Sequence, residues 1–112
     1  MSKLPTEYLK HIRDELSYLE VASSSISEKR FMHDPTFQRA FARSLSVIGE
    51  DVKKLSPEFR EKYAKVEWRS IAGMRDRLIH EYFGVDYEIV WDVVKNEVPE
   101  FKKQIEKLLK EE

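Results

Sequence analysis

Arg75 and His80 lie five positions apart in the sequence, with Asp76, Arg77, Glu81, Tyr82 and Tyr87 close by. A histidine whose ordinary pKa is near 6.5 can give or take a proton at neutral pH, and a planar guanidinium can hold two oxygens of one phosphate. That pair suits reaction at a phosphodiester, where one group moves a proton and the other stabilises the charge that gathers on the phosphate. RNA carries its own nucleophile, the 2′-hydroxyl, so a site of this kind can work without a metal. The plainer readings stand beside this one. Arg75 can be a structural ion pair or a snorkelling side chain, and His80 a last-turn histidine that favours the helix dipole. His11 and His33 read as solvated histidines of that ordinary sort.

The element that must position these groups is a helix drawn over 68–82. At 100° per residue, Trp68, Ile71, Ala72, Leu78, Ile79 and Tyr82 fall in one broad apolar sector with Arg75 near its middle. An unpaired guanidinium is costly to bury, so Arg75 must meet an acid inside the protein or face a cleft or a subunit contact. His80 stands about 140° round an ideal helix from Arg75. The two converge only if the helix ends or distorts between them, or if a second subunit completes the site. Tyr82, by position alone, is a stripe aromatic, and Gly84 sits where a left-handed helix cap belongs.

Further elements follow from periodicity. Tyr8, Ile12, Leu16, Leu19, Ala22 and Ile26 recur every three or four residues and predict a first helix from Tyr8 to about Ile26, across the run Ser23-Ser24-Ser25. Asp34-Pro35-Thr36 is a start signal, and Phe37, Phe41, Leu45, Ile48, Val52 and Leu55 give the cleanest helical stripe in the chain. Ser56-Pro57 ends that helix and opens a short one through about Tyr63. Asp86 caps the last segment, whose apolar positions from Val90 to Leu108 keep phase across Pro99, as one kinked helix or two nearly collinear ones. The sum is an all-α, antiparallel four-helix bundle with an extra short helix, a single domain over residues 1–112.

Composition limits the chemistry. The chain has 112 residues, 41% of them apolar and 37% charged, with three glycines and four prolines, which leaves little material for the turns of a many-stranded sheet. It has no cysteine, hence no disulfide, no thiolate nucleophile and no Cys-containing zinc site. A net charge of −1 provides no global basic field, so nucleic-acid chemistry must be local. There is no Gly-rich phosphate loop, no His-Glu-x-x-His pair and no nucleophile elbow. No signal-peptide pattern opens the chain and no run of roughly 18 apolar residues crosses a membrane, so the cytoplasm is the expected compartment. Arg39, Arg43, Lys53, Lys54, Arg69 and Arg77 could guide RNA, with Arg69 and Arg77 nearest the motif; the plainer reading is helix-surface charge balanced by Glu and Asp.

The stretch from Ile71 to Asp86, IAGMRDRLIHEYFGVD, resembles the signature of the HepT branch of the HEPN superfamily: Arg, four residues, His, any residue, Tyr. The flanks are similar in content and order, with Ile48-Gly49-Glu50, Lys54-Leu55-Ser56-Pro57-Glu58-Phe59-Arg60, Ile89-Val90-Trp91-Asp92-Val93-Val94 and Pro99-Glu100 all in place, so the likeness covers about residues 37–110. The resemblance implies a HEPN-like bundle that forms a homodimer, with the motifs of two subunits turned toward a shared cleft. It implies a metal-independent endoribonuclease toxin that needs no cofactor, with Arg75 and His80 catalytic and Asp76 as a polar helper. It also implies a partner, a nucleotidyltransferase (MntA-like) antitoxin that adds AMP to Tyr82. The rival from another class is a non-catalytic helical subunit that binds a nucleotidyltransferase and positions its substrate.

Overall fold

The computed structural model describes residues 4–80 and 84–112, His80 by its backbone alone. The fold is all-α and HEPN-like. Helix α1 spans Pro5–Ser24, with Pro5 in the first turn, where its missing N–H is no loss. It ends two residues before the expected Ile26 because the serine run turns its hydroxyls back on the chain. Ser23, Ser24 and Ser25 donate to the carbonyls of Glu20, Val21 and Ala22 at 3.2, 2.7 and 2.8 Å. A helix that periodicity does not reveal follows, α2 at Glu28–Phe31, capped by Ser27, whose hydroxyl accepts from the Arg30 N–H. It drives Phe31 fully into the core, 5.0 Å from the Phe41 ring and 5.2 Å from Trp91.

Helix α3 runs Pro35–Lys54 and α4 runs Pro57–Lys62. Asp34 caps the first by accepting from the N–H groups of Thr36 and Phe37, and Ser56 caps the second by accepting from Phe59. The hydrogen bond from Phe37 is the main reason that the Asp34 carboxyl lies below its ordinary pKa. Phe41, Leu45, Ile48, Val52 and Leu55 are all buried, as their spacing predicts.

The segment 68–82 differs from the expectation of one helix. It consists of α5, Trp68–Ala72, and α6, Met74–Leu78, broken at Gly73. Helix ends at Leu78, and Ile79–His80 form strand β1, paired antiparallel with β2, Gly84–Val85, in the register Ile79 to Val85 and His80 to Gly84. The Asp86 N–H closes the hairpin on the Leu78 carbonyl at 2.7 Å. Gly84 does adopt positive φ, +74°, but in this hairpin and not at a helix cap. Asp86 then caps α7, Tyr87–Asn96, and α8 follows at Val98–Glu111. The C-terminal segment is therefore two helices. A continuous one would set the Pro99 ring against a carbonyl four residues back; here Pro99 sits in the first turn of α8.

Helix α3 is central, packed against α1, α5, α6 and α7, while α8 closes the bundle on α1 and α7. Gly49 sets the closest approach. A Cβ there would lie 2.9 Å from the Ile71 carbonyl oxygen, so only glycine lets α3 come this near to α5. Among the described residues no helix is long and apolar enough to cross a membrane.

Candidate functional site

The break at Gly73 decides where Arg75 points. In one continuous helix Arg75 would share the apolar sector. In the structure the buried positions run Trp68, Ile71, Met74 and Leu78, so Met74 takes the core position and Arg75 turns out to solvent, together with Asp76. The expectation that Arg75 lies mid-stripe is thus corrected. No carboxylate among the described residues pairs with it, and a buried structural ion pair does not account for it.

Arg75 faces a recess of about 540 Å³, lined by Ala72, Gly73, Asp76 and Ile79 from its own segment and by Glu50 and Lys53 from α3. Lys53 donates to Glu50 at 3.2 Å. The contact at Gly49 explains the company: by admitting the Ile71 carbonyl, it brings the next turn of α3 alongside Arg75. Glu50 and Lys53 were not legible as site residues from spacing alone, since they lie more than twenty positions away. The only signals were Lys53 among the cations able to guide RNA, and Gly49-Glu50 within the family likeness.

The backbone meets one condition that convergence of Arg75 and His80 required. Helix ends between them, at Leu78, and Ile79 is extended at φ −105°, ψ 125°. His80 is placed in β1 by its backbone. Its imidazole, and the whole of Tyr82, lie outside the described residues.

The two flanking arginines fare differently. Arg77 is gripped by Glu97, Nη1 donating to Oε1 at 3.0 Å and Nη2 to Oε2 at 2.7 Å, with a further bond from Nη1 to Ser70 at 3.2 Å. This fork, chiefly through its hydrogen bonds to Glu97, raises the Arg77 pKa and ties α6 to the start of α8. Arg69 is exposed on α5 and is not among the residues lining the recess. His33 rests its Nδ1 on the Lys29 carbonyl at 2.9 Å. His11, half exposed, does more than the sequence implied, because its Nδ1 meets Asp51 and links α1 to α3. Among the described residues no group of three or more His, Asp or Glu side chains stands close enough to hold a metal ion. An exposed guanidinium in a polar recess, with no carboxylate partner among the described residues, suits an anion, above all a phosphate presenting two oxygens to its fork.

Comparison with known proteins adds to this geometry. The family model described as "Ribonuclease HepT-like" matches residues 7–108. A protein of Caldanaerobacter subterraneus subsp. tengcongensis named "Putative RNase TTE0752" is 52% identical over 110 residues, covering 98% of each chain. One of Methanocaldococcus jannaschii, "Putative RNase MJ0125", is 44% identical over 88% of this chain and 87% of its own. "Probable ribonuclease HepT" of Thermococcus cleftensis is 36% identical over 98% of this chain and all of its own length. No solved structure matches the chain.

Proposed function

Since the chain belongs to the HepT-like ribonuclease family, we propose that it is a metal-independent endoribonuclease whose site is built on Arg75 and His80. The observation that carries the reading is the Arg75 guanidinium, exposed in a polar recess and in no ion pair with a carboxylate among the described residues, beside the point where helix gives way to the strand bearing His80. In this mechanism the 2′-hydroxyl of RNA attacks the adjacent phosphorus, the 5′-oxygen leaves, and a 2′,3′-cyclic phosphate remains. His80 moves a proton, Arg75 holds the phosphate oxygens as their charge grows, and Asp76, also in the recess, orients polar groups around them. Arg69 offers a further contact to RNA from its exposed position. Arg77, already forked onto Glu97, serves mainly to hold α6 in place.

The biological setting in this reading is a cytoplasmic toxin acting as a homodimer, with the two motifs opening on one cleft. Its partner is a nucleotidyltransferase antitoxin that transfers AMP to the Tyr82 hydroxyl. Phosphate charge added there would compete with RNA for Arg75. The test is turnover of an RNA oligonucleotide in EDTA by wild type, Arg75→Ala and His80→Ala, each shown to be folded. Each substitution should lower kcat by about 10²- to 10³-fold. Wild-type inactivity would favour the non-catalytic subunit, and full activity in both variants would remove Arg75 and His80 from the site. Tyr82→Phe should still cut RNA yet resist silencing by the antitoxin; silencing at the wild-type rate would remove Tyr82 from the scheme.

A further inference from the structure

The solvent-facing side of α3 carries a feature that the catalytic reading does not use. At 100° per residue, Arg39, Arg43, Ser46, Glu50 and Lys53 fall within about 80° of one another, directly opposite the buried stripe of Phe41, Leu45, Ile48 and Val52. A second recess of about 590 Å³ lies along this stripe, lined by Arg39, Arg43, Ser46, Val47, Glu50 and Asp51. Glu50 also lines the Arg75 recess, so its side chain borders both depressions. The carboxylates on this path are engaged: Glu50 accepts from Lys53 at 3.2 Å, and Asp51 is held by His11. Arg39 and Arg43 are exposed and have no acidic partner among the described residues. Like charges at i and i+4 disfavour an isolated helix, so this pair gives the fold no evident benefit.

We infer that this face of α3 is a track for single-stranded RNA, on which Arg39 and Arg43 hold backbone phosphates of the strand whose scissile bond lies at Arg75. The inference rests on the ribonuclease reading and extends it to substrate binding. One row of cations along one helix fits the phosphates of one strand. From Arg39 to Lys53 the helix rises about 21 Å, which at about 3.4 Å per stacked nucleotide accommodates about six nucleotides.

The test measures binding of a 2′-O-methyl RNA 12-mer, which has no free nucleophile, as a function of salt, for wild type and for Arg39→Gln/Arg43→Gln. Glutamine is as good a helix former as arginine, so the variant should fold, and a thermal melt checks this. Lys103→Gln/Lys107→Gln, an exposed pair on α8, makes the same charge change away from the track. Loss of two phosphate contacts should lower the slope of log affinity against log salt by about 1.4, so the advantage of wild type should shrink about sevenfold between 50 and 200 mM salt. The α8 variant should keep the wild-type slope. A slope for Arg39→Gln/Arg43→Gln equal to that of wild type, in a protein that still cuts RNA, overturns the track and leaves the nuclease standing. A wild type that neither binds the 12-mer nor cuts RNA removes both.

Discussion

Gly49→Ala pits two effects of known size against each other at the contact that frames the Arg75 recess. In the middle of α3, alanine is favoured over glycine by about 1 kcal/mol of intrinsic helix propensity. The added Cβ, however, would stand 2.9 Å from the Ile71 carbonyl oxygen and 3.3 Å from the Met74 Cβ, and a backbone oxygen cannot step aside as a flexible side chain would. Overpacking of this kind costs about 1–3 kcal/mol, so the balance is a net destabilisation of about 1 kcal/mol. For a chain of this length that is roughly a 4 °C fall in Tm. Relief of the contact would move α5 and α6 away from α3, separating Arg75 and Asp76 from Glu50 and Lys53, so RNA turnover should fall as well. Thermal melts and steady-state cleavage by the same preparation measure both. A variant with raised Tm would refute the reasoning, since it would mean that propensity alone governs the site and the close approach is not needed.

Two further perturbations test the fold that carries the site. Phe31→Ala should cost about 3–5 kcal/mol in urea unfolding, because Phe31 is fully buried between Phe41 and Trp91; a loss under 1 kcal/mol would mean that α2 is not part of the core. Asp34→Asn keeps a capping side chain but cannot titrate. Because the Asp34 carboxyl is lowered in the folded state, its ionic contribution is present above the ordinary carboxylate pKa and disappears as pH falls through the lower folded value. The Tm difference between wild type and variant should thus be largest near neutrality and vanish in acid, and a difference constant down to pH 2 would contradict this.

Helix starts and regular stripes were legible because they are local. Asp34, Ser56 and Asp86 each accept the backbone N–H groups that their positions foretold, and every apolar position named from Val90 to Leu108 is buried. In the segment 68–82 periodicity does not fix the buried face, because two phases fit it nearly as well. Shifting the stripe from Arg75 to Met74 needs only the break at Gly73, and burial of a thioether in place of a guanidinium decides between them. The hairpin at Ile79 and Val85 was invisible because two-residue strands have no period to detect, while positive φ at Gly84 serves a hairpin and a helix cap alike. Helix α2 was too short for the same reason. For the site, Arg75 stood out by type and spacing, and Asp76 entered only through the family likeness. That Glu50 and Lys53 share their recess depends on a tertiary approach between α3 and α5, which periodicity does not encode.

The chemistry assigned to Arg75 is tested most directly by the ends of the RNA fragments. Mass spectrometry of a wild-type digest run in EDTA should find 2′,3′-cyclic phosphates at the cut sites, and Arg75→Ala should yield almost none. Fragments ending in 3′-hydroxyl and 5′-phosphate, or cyclic ends that persist undiminished without the guanidinium, would contradict it.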